Sequence, residues 1–149
     1  MPEKIAIGCD HGGFRLKEFL KTRLGEKGYR VDDFGTGSDK PCDYPLIGYA
    51  VARAVSRGMC KKGILICKTG IGMAVIANKL RGVRSGVCNN LKQAKTSRLH
   101  NDTNVLSLAA KYVSRDKAKR IVNIWLKTPA LKGRHARRVR QINKLERKK

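Results

Sequence analysis

The chain has 149 residues, about one domain's worth, with 41% hydrophobic residues for a core and 30% charged residues for solubility. This excludes a wholly disordered chain, and no apolar run approaches the ~18–20 residues that a membrane span needs. With 34 Lys and Arg against 11 Asp and Glu, the net charge of +23 favours an anionic partner (nucleic acid, acidic lipid or a phosphorylated metabolite) and says nothing of fold.

The chain begins Met1-Pro2-Glu3-Lys4 and runs straight into Ile5-Ala6-Ile7, without a signal-peptide apolar region. Lys4–Cys9 reads as a buried strand ending in Asp10-His11-Gly12-Gly13. Phe14–Lys27 follows as a helix, with Phe14, Leu16, Phe19, Leu20 and Leu24 at helical spacing. Arg30–Phe34 is a second strand, and Gly35–Pro45 is turn-rich. Leu46–Arg57 reads as a helix closed by Gly58. Gly63–Cys67 is the most apolar strand and leads through Lys68-Thr69-Gly70-Ile71-Gly72 into a helix over Met73–Leu80. Arg84–Cys88 and Asn104–Leu108 are further strands around a helical stretch at Leu91–Arg98, and a helix over Arg115–Leu126 follows.

Alternating strands and helices imply a parallel sheet covered on both faces, an α/β three-layer domain. In such sheets ligands gather beyond the carboxyl ends of strands, where strand order reverses. The tail differs: Lys127–Lys149 carries ten Lys and Arg against one acid, Glu146. Val139, Ile142 and Leu145 recur at three-residue steps, predicting a basic amphipathic helix from near Gly133 whose apolar stripe needs cover. The expected division is residues 1–132 as the α/β domain and 133–149 as a basic helical arm.

Five cysteines without regular spacing fit a reducing cytoplasm better than a disulfide framework. With no C-x-x-C pair and three histidines, a structural zinc site is not expected. Cys67 ends a buried strand before two glycines. Backbone N–H groups there can form an anion hole with a cysteine at its rim, or the segment is a buried cysteine beside an ordinary glycine turn. Asp10 and His11 can work as an acid/base pair, or Asp10 caps a helix. His100-Asn101-Asp102-Thr103-Asn104 is a dense polar run of types that turns use freely. Arg134 and Arg138 lie four apart, on one helix face, where two guanidinium forks suit a phosphate dianion; the alternative is a solvated basic face. Tyr44 faces a ligand or caps its loop.

In this order along the chain, Ile5–Gly13, Asp43-Tyr44-Pro45, Gly63–Cys67, Thr69–Met73 with Ala77-Asn78-Lys79, His100–Asn104 and Gly133-Arg134-His135 with Arg138-Val139 closely resemble type B ribose-5-phosphate isomerases. That family also includes allose-6-phosphate and galactose-6-phosphate isomerases. The resemblance implies a Rossmann-like α/β/α sandwich with a five-stranded parallel sheet, and a homodimer or dimer of dimers whose C-terminal helix reaches the partner subunit. It implies cytoplasmic interconversion of ribose 5-phosphate and ribulose 5-phosphate in the non-oxidative pentose phosphate pathway, without metal or cofactor. Cys67 is then the base that makes an enediolate, Gly70, Ile71 and Gly72 hold its oxygen, and Thr69 assists proton movement. His100, supported by Asp10, opens the sugar ring. Tyr44 and Asn101 contact the sugar, and His11, Lys111, Arg134 and Arg138 bind phosphate.

Two positions depart from the family pattern. Lys68 stands where the family normally has Gly after the cysteine; were that Gly needed for a positive φ, Lys there would strain the loop by on the order of 1–2 kcal/mol. Lys111 stands where many members carry a phosphate-binding Arg, keeping the charge but losing the bidentate fork. The alternatives are a six-carbon phosphosugar such as allose 6-phosphate, or a weakened homologue binding nucleic acid. Aromatic residues at 5% and the lack of a nucleic-acid motif weigh against the last.

Overall fold

The computed structural model describes residues 2–148. Strands β1 (Lys4–Cys9), β2 (Arg30–Asp33), β3 (Lys62–Cys67), β4 (Ser85–Val87) and β5 (Val105–Ala109) form one sheet in the order β2-β1-β3-β5-β4. Every pairing is parallel. Helices α1 (Phe14–Glu26), α2 (Tyr44–Ser56), α3 (Ile71–Ala77), α4 (Leu91–Asn101), α5 (Arg115–Lys127) and α6 (Arg134–Glu146) complete the chain, and a short 3-10 turn (His11–Gly13) links β1 to α1.

The three central strands are buried on both faces, which is why they read as near-continuous apolar runs. One core holds Ile5, Ile7, Ile64, Ile66, Leu106 and Leu108 against Leu20 of α1 and Ile121 and Trp125 of α5. The opposite core joins Ala6, Leu65, Cys67 and Val105 to Val51 and Val55 of α2 and Met73 of α3. The three-layer sandwich with a five-stranded parallel sheet is therefore present as expected. Its strand order reverses between β1 and β3, each running from the centre toward opposite edges, so the crevice beyond Cys9 and Cys67 is the switch point of the sheet.

Several boundaries differ from the sequence expectation. The second helix starts at Tyr44, two residues early, because Pro45 sits in its first turn, where a missing N–H breaks no helix bond. The third starts at Ile71 and stops at Ala77 rather than Leu80. Beyond it, Asn78 binds the backbone of Ser85 on both sides, at 2.7 and 3.0 Å, and so ties the helix end to β4. His100 and Asn101 are not in a turn: they are the last two residues of α4, which ends because Asp102 adopts a left-handed conformation (φ 45°).

At the sheet edge, Lys17 of α1 is 1% exposed and donates to both carboxylate oxygens of Asp33 at 2.8 and 2.7 Å; Lys21 adds a third bond at 2.7 Å. The tail folds back as α6 along α4. Val139 is buried there, while Ile142 and Leu145 stay exposed. No described helix is long and apolar enough to cross a membrane.

Candidate functional site

The site gathers where three strands end. Cys67 closes β3, and the N–H of Gly70 donates to its Sγ at 3.1 Å. Gly70 carries φ 74°, and a Cβ there would meet the backbone of Leu108 at 3.1 Å, so the tight turn that aims this N–H needs glycine. The next N–H, of Ile71, donates to Thr69 Oγ1 at 3.2 Å. The opening amides of a helix have no intrahelical acceptor. With the first two engaged by Cys67 and Thr69, that of Gly72 follows them in the row. Tyr44 covers Gly72 so closely that a Cβ would lie 2.7 Å from the ring.

Asp10 follows β1. Its backbone N–H donates to Ile66 of β3 at 3.2 Å, and its carboxylate accepts from Gly12 N–H at 2.9 Å. It is a capping residue in this chain, and it is buried. His11 projects from the same turn. The N–H of Cys42 donates to its Nδ1 at 3.2 Å, which places the proton of the neutral ring on Nε2. That bond also ties the loop before α2 to the end of β1.

Lys111 follows β5, and its N–H donates to the Lys68 carbonyl at 3.0 Å, so the two departing lysines are neighbours. Among the described residues Asp102 is the only non-glycine with positive φ, so Lys68 carries no left-handed strain. Its stem lies over Gly12, where a Cβ would meet Lys68 Cγ at 2.8 Å. The glycine at position 12 makes room for the lysine at 68.

Cys67 is itself buried, as are Cys9, Cys60 and Cys88, while Cys42 is half-buried. All five are free. Burial pushes the Cys9 thiol up to about 11, and burial likewise raises those of Cys60 and Cys88. Neutral thiols sealed in a core are poor nucleophiles and poor bases.

The structure does not bring together all the residues that the sequence singled out. His100, Asn101, Arg134 and Arg138 lie at the opposite end of the sheet, because α4 runs back to the start of β5. The length of β5 alone, at ~3.3 Å per residue, puts roughly 15 Å between the two ends. Within one chain, therefore, Asp10 does not support His100. The far end is tied together internally. Arg98 pairs with Asp102 at 2.7 Å and donates to the Thr128 carbonyl at 3.0 Å, while Trp125 Nε1 donates to Thr103 Oγ1 at 2.9 Å. His135 of α6 stacks on His100, and both border a cavity of about 200 Å³ with Leu99, Leu131 and Arg140. His135 stood in the tail motif without a role. Arg98 and Asp102 were visible only as an i, i+4 charge pair.

A family model described as ribose/galactose isomerase matches residues 5–142. The chain belongs to the ribose/galactose isomerase family. It is 45% identical to ribose-5-phosphate isomerase B of Escherichia coli over 147 residues, 99% of each chain. Among solved structures, ribose-5-phosphate isomerase B of Clostridium thermocellum superposes with a TM-score of 0.95 at 48% identity, covering 97% of this chain and 98% of that one. The Mycoplasma genitalium ribose-5-phosphate isomerase B with bound ribulose 5-phosphate gives 0.96 at 36% identity, over 100% and 99%. As a member of this isomerase family, the chain carries its Cys67 at the switch crevice of the sheet, with the histidine and arginine cluster at the other end.

Proposed function

We propose that this protein interconverts ribose 5-phosphate and ribulose 5-phosphate, with Cys67 as the base and with each site shared between two copies of the chain. The observation that carries the reading is Cys67 Sγ at the switch crevice, held by the Gly70 N–H beside Thr69 and below Tyr44. Relatives matched over nearly their whole length, one solved with ribulose 5-phosphate bound, support the substrate.

The reaction moves one proton from C2 to C1 and one between the two oxygens, and the electron pair stays within the sugar, so no redox partner is needed. Cys67 as thiolate takes the proton from C2. The electrons form a C1–C2 enediolate whose negative oxygen is met by backbone N–H of the Gly70–Gly72 turn. Cys67 returns the proton to C1, and Thr69 Oγ relays the hydroxyl proton. His11 Nε2, Lys68 and Lys111 give the same end of the sheet a positive, hydrogen-bond-donating rim.

His11 is the one histidine at this end among the described residues, and the ring-opening His100 and the Arg134 and Arg138 pair of the expected site are not here. His100, Asn101, Arg134 and Arg138 supply that chemistry when they come from a second copy, in which His100 then meets the Asp10 of its neighbour. The exposed Leu46 and Tyr49 of α2 and Ile71 and Val75 of α3 form an apolar surface beside the Cys67 turn that such a copy would cover. Helix α6, though docked on its own α4, carries Arg134 and Arg138 exposed for the partner.

The test is complementation. Cys67→Ser and His100→Ala are each expected to be inactive on ribose 5-phosphate. Refolded together, they regain about a quarter of wild-type activity, since half the dimers are mixed and each mixed dimer has one intact site. No recovery would place the whole site within one chain. Assaying allose 6-phosphate in parallel decides between five- and six-carbon substrates.

A further inference from the structure

The end of the sheet away from Cys67 holds a second polar cavity, of about 500 Å³, which the isomerase chemistry does not use. It opens among the residues that precede or begin β1, β3, β4 and β5, with the end of α5 as its far wall. That volume lies within the range of small-molecule sites and exceeds what a single phosphate fills. Five cations line it: Lys61, Lys62, Arg84, Arg98 and Lys127. They face two acids, Glu3 and Asp102.

The two acids are already engaged. Asp102 is held by Arg98 at 2.7 Å and reached by Arg84 at 3.4 Å, and Glu3 lies 3.4 Å from Lys62 Nζ. Three positive charges are left without a counter-charge in the lining. Lys62 shows the imbalance most plainly. Its residue is 8% exposed, its one acid contact is long, and its ammonium lies 6.0 Å from the centre of the Trp125 ring. Burial, opposed by Glu3 and reinforced by Arg98 and Lys61, pushes the ammonium below the usual lysine value. A buried ammonium short of negative charge is a group that an anion would stabilise. Arg84 has spare capacity as well: its terminal nitrogens make only long contacts, at 3.4 and 3.5 Å. Arg98, with short bonds on each side, is the fixed wall.

We propose that this cavity binds a compact diphosphate anion, with Lys62 and Arg84 at its floor and Lys61 and Lys127 at its rim. Two linked phosphates match the cavity's volume and its three uncompensated charges better than one. Inorganic pyrophosphate and the diphosphate of a nucleotide share this chemistry.

Calorimetric titration of the full-length protein at about 0.15 M salt, where surface attraction is screened, tests it. The probes are pyrophosphate, ADP and orthophosphate, against wild type, Lys62→Met, Lys127→Ser and Arg134→Ala. Pyrophosphate is expected to bind wild type and Arg134→Ala alike, and to weaken about tenfold in Lys62→Met and severalfold in Lys127→Ser. Lys127 is exposed, so that variant keeps the test valid if Lys62→Met folds poorly. ADP matching pyrophosphate assigns the diphosphate alone, and tighter binding adds a contribution from the nucleoside. Absence of pyrophosphate binding, equal binding by orthophosphate, unchanged binding in both lysine variants, or loss only in Arg134→Ala would each overturn the proposal. The last would send the anion to the sugar-phosphate site.

Discussion

His135 stacks flat on His100, with ring centroids 4.1 Å apart and planes 3° from parallel. The contact joins the second residue of α6 to the penultimate residue of α4, and fixes the plane of the imidazole that we propose opens the sugar ring. Partial burial, then the charges of His100, Arg134 and Arg138, pushes the His135 imidazole below the usual histidine value.

His135 is a positioning residue on this reading. His135→Ala is expected to lower kcat on ribose 5-phosphate about tenfold with a smaller change in KM, and His135→Phe, which keeps a flat ring, to recover most of the loss. The pH dependence has a defined sign. With the folded value depressed, the unfolded chain takes up the proton first, so stability falls as pH drops through the histidine range. Thermal unfolding from pH 7.5 to 5.5, as a series about one unit apart, should show a flatter curve for His135→Phe. An equal slope would remove His135 as the source.

Cys67→Ser should abolish isomerisation, by about 10²–10⁴-fold, with unchanged circular dichroism, because a hydroxyl fits the space and accepts the same Gly70 N–H. Full retained activity would remove Cys67 as the base.

Lys68→Gly is expected to keep or raise turnover. Lys68 needs no positive φ, so the variant gives up backbone stiffness, about 0.5–1 kcal/mol of stability, together with the contact on Gly12 and one of the rim's positive charges, while Lys111 keeps the other. The contact with Gly12 makes a sharper test. Gly12→Ala should be less destabilising in the Lys68→Gly background than in wild type, with a coupling of about 0.5–1 kcal/mol in denaturant titrations. Additive effects would show that the two positions do not meet.

Asp33→Asn should destabilise the protein by about 2–4 kcal/mol at pH 7, because it leaves buried Lys17 with only Glu18, at 3.3 Å, for a counter-charge. Burial alone would raise the Asp33 carboxyl, but hydrogen bonds from Lys17, Lys21 and the Gly35 N–H outweigh it and hold the group below the usual carboxylate value. A depressed carboxylate contributes stability that is complete above its unfolded value, near 3.8, and disappears as pH falls through the folded one. The difference between wild type and Asp33→Asn should therefore be constant from pH 7 to about 5 and shrink below about 4.

Much of this was legible in the chain. Runs such as Ile5–Cys9 and Gly63–Cys67 read as central strands of a parallel sheet, and the residues just after them, Asp10, His11 and Thr69–Gly72, do converge. The turn reading failed at His100 and Asn101 because a polar run carries no periodicity to mark it as helix, and a left-handed Asp102, rather than a glycine, ends that helix. Lys17 occupies a position that helical spacing gives to the core, and Asp33, sixteen residues on, explains it only once α1 and β2 are folded together. The separation of Cys67 from His100 was illegible for a deeper reason. Spacing along a chain does not say to which end of a sheet a helix returns.

Trp125 is the chain's one tryptophan, fully buried, and its indole N–H is held by Thr103, three residues beyond His100. The ammonium of Lys62 lies over the same ring. The protein thus carries a built-in fluorophore wired to both the helix end that bears His100 and the floor of the basic cavity. A rearrangement at either place would register in the emission of this single indole, without a label.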